Sequence, residues 1–320
     1  MSGIRTGPLL PRTRGPLSEG LVGFLRDGSP LPDPAGAGDA DPYGDDLQLA
    51  LYVCYELHYR GFHGVRPELE WDPPLLAVRA ALEDRFLTAL RRDATEAADL
   101  DDLLDGLLEE PVRGSGVSWF LQDRGELRHL RDYAIQRSLY HLKEADPHAW
   151  VLPRLSGRAK AGMAAIEYDE FGGGRADRVH ARLFADLMDD LALDTTYGNY
   201  LDEGRAPMLA LVNIMSLFGL HRRLRGALVG HFAAVEITSS PASRRLAHAM
   251  KRTGAGPAAE FFYTEHVEAD AVHEQVVRRD VIGGLLADEP GLAADIAFGI
   301  TATSFLEDRL GERLLADWQA

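Results

Sequence analysis

From Asp46 onward, apolar residues recur at three- and four-residue intervals in nearly every segment. No stretch shows β-branched alternation bounded by paired turn signals, which a sheet would need. The pattern predicts an all-α chain. Helices are expected over roughly 46–60, 75–93, 96–108, 126–146, 156–170, 176–192, 206–237, 241–252, 257–276 and 289–316. Residues 1–45 read differently. Pro8, Pro11, Pro16, Pro30, Pro32 and Pro34, with the run from Ala35 to Pro42, predict a largely irregular arm. Its one apolar patch, Leu21-Val22-Gly23-Phe24-Leu25, is expected to dock as a helical turn.

The breaks between helices have physical causes. Pro73-Pro74 precedes the second helix, Pro147 closes the one holding Glu144, and Gly172-Gly173-Gly174 interrupts a run that would otherwise be continuous. The acidic stretch from Glu96 through Glu109-Glu110-Pro111 reads as a solvated helix and a boundary. These signals divide the chain into the arm, an N-terminal helical extension at 46–115, and a main helical domain at 116–320. The extension is expected either to form a homodimer or to cover the main domain.

Composition narrows the chemistry. With 320 residues, 46% of them hydrophobic, the chain can bury one large core or a core plus a smaller helical unit. Fifty acidic against 34 basic residues give a net charge of −16, which argues against nucleic acid or an anionic membrane as partner. The single cysteine, Cys54, excludes an internal disulfide framework and multi-cysteine metal sites. It sits in the apolar run Leu51-Tyr52-Val53-Cys54-Tyr55 and is expected in the core rather than as a nucleophile. Any metal must then be held by His, Asp and Glu, and such hard ligands favour iron or manganese before zinc. No apolar stretch reaches membrane-span length, and the proline- and arginine-bearing N-terminus has no signal-like apolar region, so a cytoplasmic location is expected.

The sharpest local signal is His266-Val267-Glu268-Ala269-Asp270-Ala271-Val272-His273. At about 100° per residue, His266, Asp270 and His273 fall within roughly 60° of one another on one helix face. Chance would produce this His-x3-carboxylate-x2-His spacing roughly 0.06 times in a chain of this composition. The competing reading is three solvated polar residues. Glu236 lies in the apolar run Leu228-Val229-Gly230-His231-Phe232-Ala233-Ala234-Val235-Glu236, where a carboxylate must find a partner. A metal would serve, and so would an arginine of Arg222-Arg223-Leu224-Arg225. His231 is expected as a buried hydrogen-bonding residue and not a ligand. Glu144, Glu170 and His180 are weaker signals alone, and Glu167 and Asp169 compete with Glu170.

Taken together, Glu144, Glu170, His180, Glu236, His266, Asp270 and His273 fall on successive helices in the order Glu, Glu, His, Glu, His-x3-Asp-x2-His. This order resembles that of the heme-oxygenase-like diiron oxidases and oxygenases, the iron-containing redox enzymes. By spacing it is most similar to their N-oxygenating members. The resemblance covers about residues 120–316 and is most specific at the terminal His-x3-Asp-x2-His. It implies a seven-helix bundle without heme, in which these seven residues hold two Fe ions cycling between Fe2+ and Fe3+, with O2 as co-substrate. Glu-x9-His is a long spacing, so Glu167 is the substitute for Glu170. The three glycines would let Glu170 and His180 converge, although their spacing puts them about 80° apart on an ideal helix.

The activity implied is oxidation of a small organic substrate, with N-oxygenation of an amine in small-molecule biosynthesis as the first expectation. The alternatives are oxidative C–C cleavage of a fatty or amino acid by the same site, a metal-free enzyme of the same helical superfamily, and a metal-free helical binding protein. Arg222, Arg223 and Arg225 read either as an exposed face or as a grip on a substrate carboxylate.

Overall fold

The structure is a computed structural model that describes residues 7–94, 99–110 and 114–319. The expected helical stretch at 96–98, the first six residues of the arm and the part of the boundary at 111–113 lie outside the described residues. Among those described, there is no strand.

The arm carries more order than its prolines suggest. Helix α1 (Pro16–Asp27) runs three turns, buries Leu17, Leu21, Val22 and Leu25, and ends at Gly28 in the left-handed region. Pro16 opens this helix at a position where its missing N–H costs nothing. Asp46, in the first turn of α2 (Asp45–Glu56), accepts from the Leu17 and Ser18 amides at 2.9 and 2.8 Å. The end that lacks partners of its own is therefore capped from the next helix, which a local reading of the arm does not see. Every residue of α2 from Leu47 to Glu56 is buried. Cys54 is among them, and burial pushes its thiol up to about 12, consistent with a core residue. Helix α3 (Pro73–Asp93) is capped by Asp72, whose carboxylate accepts from the Leu75 amide at 3.0 Å, and α4 (Leu100–Leu108) follows.

The remaining helices are α5 (Val117–Arg124), α6 (Leu127–His141), α7 (Asp146–Ala149), α8 (Gly157–Glu170), α9 (His180–Asp190), α10 (Ala206–Leu220), α11 (Arg225–Thr253), α12 (Pro257–Val276), α13 (Gly283–Asp288) and α14 (Ala293–Gln319). A π-turn over Val277–Ile282 joins α12 to α13. The longer members α6, α8, α9, α10, α11, α12 and α14 form the bundle, with α11 packed on both α12 and α14. A single apolar cluster extends from Leu17 to Leu314. No helix among the described residues is long and apolar enough to cross a membrane.

Three helix ends depart from the periodicity, each for a tertiary reason. The expected 126–146 helix stops at His141: Arg60 binds the Leu142 carbonyl at 3.0 Å, and Ala145 takes a positive φ of 72° before Pro147. The expected 206–237 helix breaks at His221, where the Arg154 guanidinium caps the carbonyls of Gly219 and Leu220. From Arg225 the chain then stays helical through Pro241 to Thr253, joining the expected 206–237 and 241–252 stretches.

Candidate metal centre

Five parts of the bundle supply the expected site residues. Glu144 lies in the turn after α6, Glu170 ends α8, His180 begins α9, and Glu236 sits midway along α11. His266, Asp270 and His273 share the inward face of α12, and all seven are buried.

The structure brings six of them into two adjacent groups. Glu144, His180 and His266 offer ligand atoms within 4.8 Å of one another, as do Glu170, Glu236 and His273. Asp270 stands beside the second group, its Oδ1 3.7 Å from His273 Nδ1. The groups meet at His180 and Glu170, whose Nδ1 and Oε2 are 2.7 Å apart. Gly172, Gly173 and Gly174 make that approach feasible. All three adopt left-handed φ values of 75°, 60° and 81°, which turn the chain sharply between α8 and α9.

The contacts have the character of convergence on a shared point rather than of hydrogen bonding. His180 Nδ1 lies close to Glu170 yet is not aligned to bond it, and Glu144 Oε2 and His266 Nε2, 3.9 Å apart, are likewise without hydrogen-bond partners. Buried polar atoms left unpartnered are costly, and a cation between them would satisfy all three. The His266 ring is oriented for this, since Nδ1 donates to the Phe262 carbonyl at 2.7 Å and leaves Nε2 facing Glu144. His273 Nδ1 faces Glu236 at 3.1 Å.

Electrostatics mark the same place. Burial opposes charge on His266 and His273, but Glu144 for the first and Asp270 with Glu236 for the second outweigh it, raising them to about 10 and about 11. Burial pushes Glu236 up to about 8. Burial also opposes the charge of Glu144, yet His141 and His266 hold its carboxyl well below the usual range. Protons on the two imidazoles balance the neighbouring carboxylates, and a bound metal would displace them.

Asp169, which competed with Glu170 in the sequence, lies 3.4 Å from His273 Nε2. Two neighbours were not singled out by spacing: His141 Nδ1 is 2.7 Å from Glu144 Oε1, and Ser239 donates to Asp270. They hold ligands in place without sharing a motif with them, so only their position one helical turn from a candidate ligand hinted at them. Glu170, not Glu167, enters the cluster. Glu167 is buried close by with both oxygens unpartnered, and burial together with Glu170 and Glu236 raises it to about 9. Glu236 meets His273 rather than the arginine cluster, while Arg222 and Arg223 are exposed and Arg225 pairs with Glu289. His231 is buried against Thr303, as a non-ligand hydrogen-bonding residue.

An all-α bundle with paired carboxylate and imidazole groups at its centre belongs to the class of helical carboxylate metalloproteins. Residues 131–308 match the iron-containing redox enzymes, and the chain belongs to that family, with its heme-oxygenase-like all-α fold. It is similar to a nitrosourea synthase from Streptomyces achromogenes subsp. streptozoticus, with 25% identity over 240 residues. The match covers 70% of this chain and 49% of that protein, so the chain spans about half the length of its curated relative.

Proposed function

We propose that this oxidoreductase is a non-heme diiron oxygenase or oxidase acting on a small organic substrate. The observation that carries the reading is the pair of adjacent groups, Glu144/His180/His266 and Glu170/Glu236/His273, of which Glu144, His266, Glu170 and Glu236 line a cavity of about 370 Å³. Four buried carboxylates, Glu144, Glu170, Glu236 and Asp270, offset the charge of two ferrous ions, and three imidazoles complete a hard N/O donor set suited to iron. Iron bound there supplies the electrons that reduce O2. The protein orients the donors through Phe262, His141 and Ser239, and excludes bulk water by burying all seven residues.

N-oxygenation of an amine is the reading for the reaction, supported by the similarity to a nitrosourea synthase. The extension at 46–115 serves this site as a cover: Leu107 of α4 lines the cavity, and Glu56 of α2 pairs with Lys143 beside Glu144. The test is anaerobic Fe(II) loading, iron counting and exposure to O2. About two irons per chain and an O2-dependent absorbance transient, both lost in His266→Ala, are expected. Absence of iron uptake, with His266→Ala indistinguishable from the parent, overturns the reading. Screening amines, amino acids and fatty acids for faster decay of the transient then separates N-oxygenation from C–C cleavage.

A further inference from the structure

The cavity beside the clustered ligands contains a second group of buried polar atoms that the metal reading does not use. His148 of α7 and His231 of α11 both line it, with ring centroids 5.2 Å apart. His148 is 2% exposed and His231 0%, and the Nε2 atom of each has no hydrogen-bond partner.

A hydrogen-bond partner fixes the tautomer of His231. Thr303 Oγ1 donates its only proton to the Gly299 carbonyl at 2.7 Å, so it must accept from His231 Nδ1 at 2.8 Å. His231 Nε2 is then a bare acceptor. On the other ring, Nδ1 lies 3.5 Å from the hydroxyl of buried Tyr140; we infer that the phenol donates across this contact, which puts the hydrogen of His148 on Nε2. Burial keeps both rings uncharged: it pushes His231 down to about 4 and His148 well below its ordinary value. One donor and one acceptor thus face the cavity from neighbouring neutral rings, while Met215 and Phe232 supply apolar wall.

We propose that His148 and His231 form a recognition subsite for the non-reacting end of the substrate, taking an uncharged group that accepts from His148 and donates to His231, of which a carboxamide is the simplest. A carboxylate has no hydrogen for His231, and an ammonium has no lone pair for His148. Neither imidazole supplies a counter-charge. The inference rests on the reading of this cavity as the substrate site and adds the chemical class of the substrate's far end.

Hexanamide and its isostere 2-heptanone test it, because the ketone keeps the acceptor and replaces the donor with a methyl group. Calorimetry on the anaerobic, iron-loaded full chain is expected to show hexanamide binding about ten-fold more tightly than the ketone. His231→Phe should reduce hexanamide to the affinity of the ketone, and His148→Phe should weaken both ligands alike. Equal affinities in the parent protein, or a preference surviving in His231→Phe, overturns the proposal. If a phenylalanine does not fit, 15N-histidine spectra of the metal-free parent chain decide. The proposal expects an Nδ1–H tautomer at His231, an Nε2–H tautomer at His148 and a shift of both with hexanamide, and the opposite tautomers overturn it. Iron content measured on the same preparation separates a failure of this subsite from a failure of the iron reading.

Discussion

Lys143 Nζ lies 2.9 Å from Glu56 Oε2, with both side chains closed off from solvent, and the next residue in the chain is Glu144 of the candidate metal centre. Tyr197 donates to both Glu56 oxygens, and the ammonium lies over the Tyr52 and Tyr59 rings. The turn carrying Glu144 is thereby fastened to α2. Lys143→Met would strand the Glu56 carboxylate, and breaking a buried pair from one side costs about 3–5 kcal/mol. Chemical denaturation should show that loss, and iron content should fall because Glu144 loses its anchor. Adding Glu56→Gln to Lys143→Met should recover most of the stability, since the uncompensated charge is removed with its partner. Parent-like stability and iron content in Lys143→Met would exclude the anchoring role.

Metal-free and iron-loaded protein should respond to pH in opposite directions. A histidine raised from 6.5 in the unfolded chain to about 10 or 11 in the fold, as His266 and His273 are, adds stability that is full below pH 6.5 and lost as pH rises through the folded value. Glu236, raised from 4.5 to about 8, favours folding only while protonated, so its contribution falls between those values. The thermal midpoint of the metal-free chain should therefore drop between pH 6 and pH 9. Iron affinity should rise over the same range, because binding displaces the imidazole protons. Calorimetry at pH 7 in buffers of differing ionisation enthalpy should find about three protons released on loading, from His266, His273 and Glu236. A pH-independent affinity would contradict these protonation states.

Glu167 offers a separate handle. Its carboxyl is raised from 4.5 to about 9, chiefly by burial, so between those values the unfolded chain ionises while the folded one holds its proton, and stability falls progressively as pH rises. Glu167→Gln replaces the neutral acid with a neutral amide of the same shape. The variant should hold its stability between pH 5 and pH 9 better than the parent, while retaining iron. Loss of iron in Glu167→Gln would instead make this residue a ligand alongside Glu170.

The periodicity of the chain made the all-α class and most helix cores legible, and α12 matches the expected 257–276 span. The site was legible where its ligands share one helix, as His266, Asp270 and His273 do, because spacing alone then fixes the face. The end of α6 was not, because Arg60 and Glu56, more than 80 residues earlier in the chain, decide where the helix stops and where Lys143 and Glu144 point. The break at His221 was hidden for a similar reason: the cap comes from Arg154, more than 60 residues earlier in the chain. His148 and His231 illustrate a further limit. His231 reads as a satisfied core histidine and His148 gives no signal of its own until the unpartnered Nε2 atom of each is seen beside the cavity.

The crossing of α11 and α14 should be among the least tolerant places in the fold. A Cβ placed on Gly230 would collide with the Ile296 carbonyl oxygen, and one on Gly299 with the Ala227 carbonyl oxygen, so each helix presses its backbone into the space left by the other's missing side chain. Both obstacles are backbone atoms, and no rotamer change can relieve them. Gly230→Ala or Gly299→Ala should force the helices apart and cost about 1–3 kcal/mol from overpacking. The same displacement would move His231, which follows Gly230 on α11, away from Thr303, which hydrogen-bonds back to Gly299 on α14. Gly226, on the same side of α11, would place a Cβ 2.9 Å from Asp295 Cβ, against 2.0 Å from a carbonyl oxygen at the other two, so a smaller displacement suffices and Gly226→Ala should cost less. Denaturation midpoints for the three alanine variants check the order. A Gly226→Ala loss equal to the other two would mean that backbone contact is not what limits this crossing.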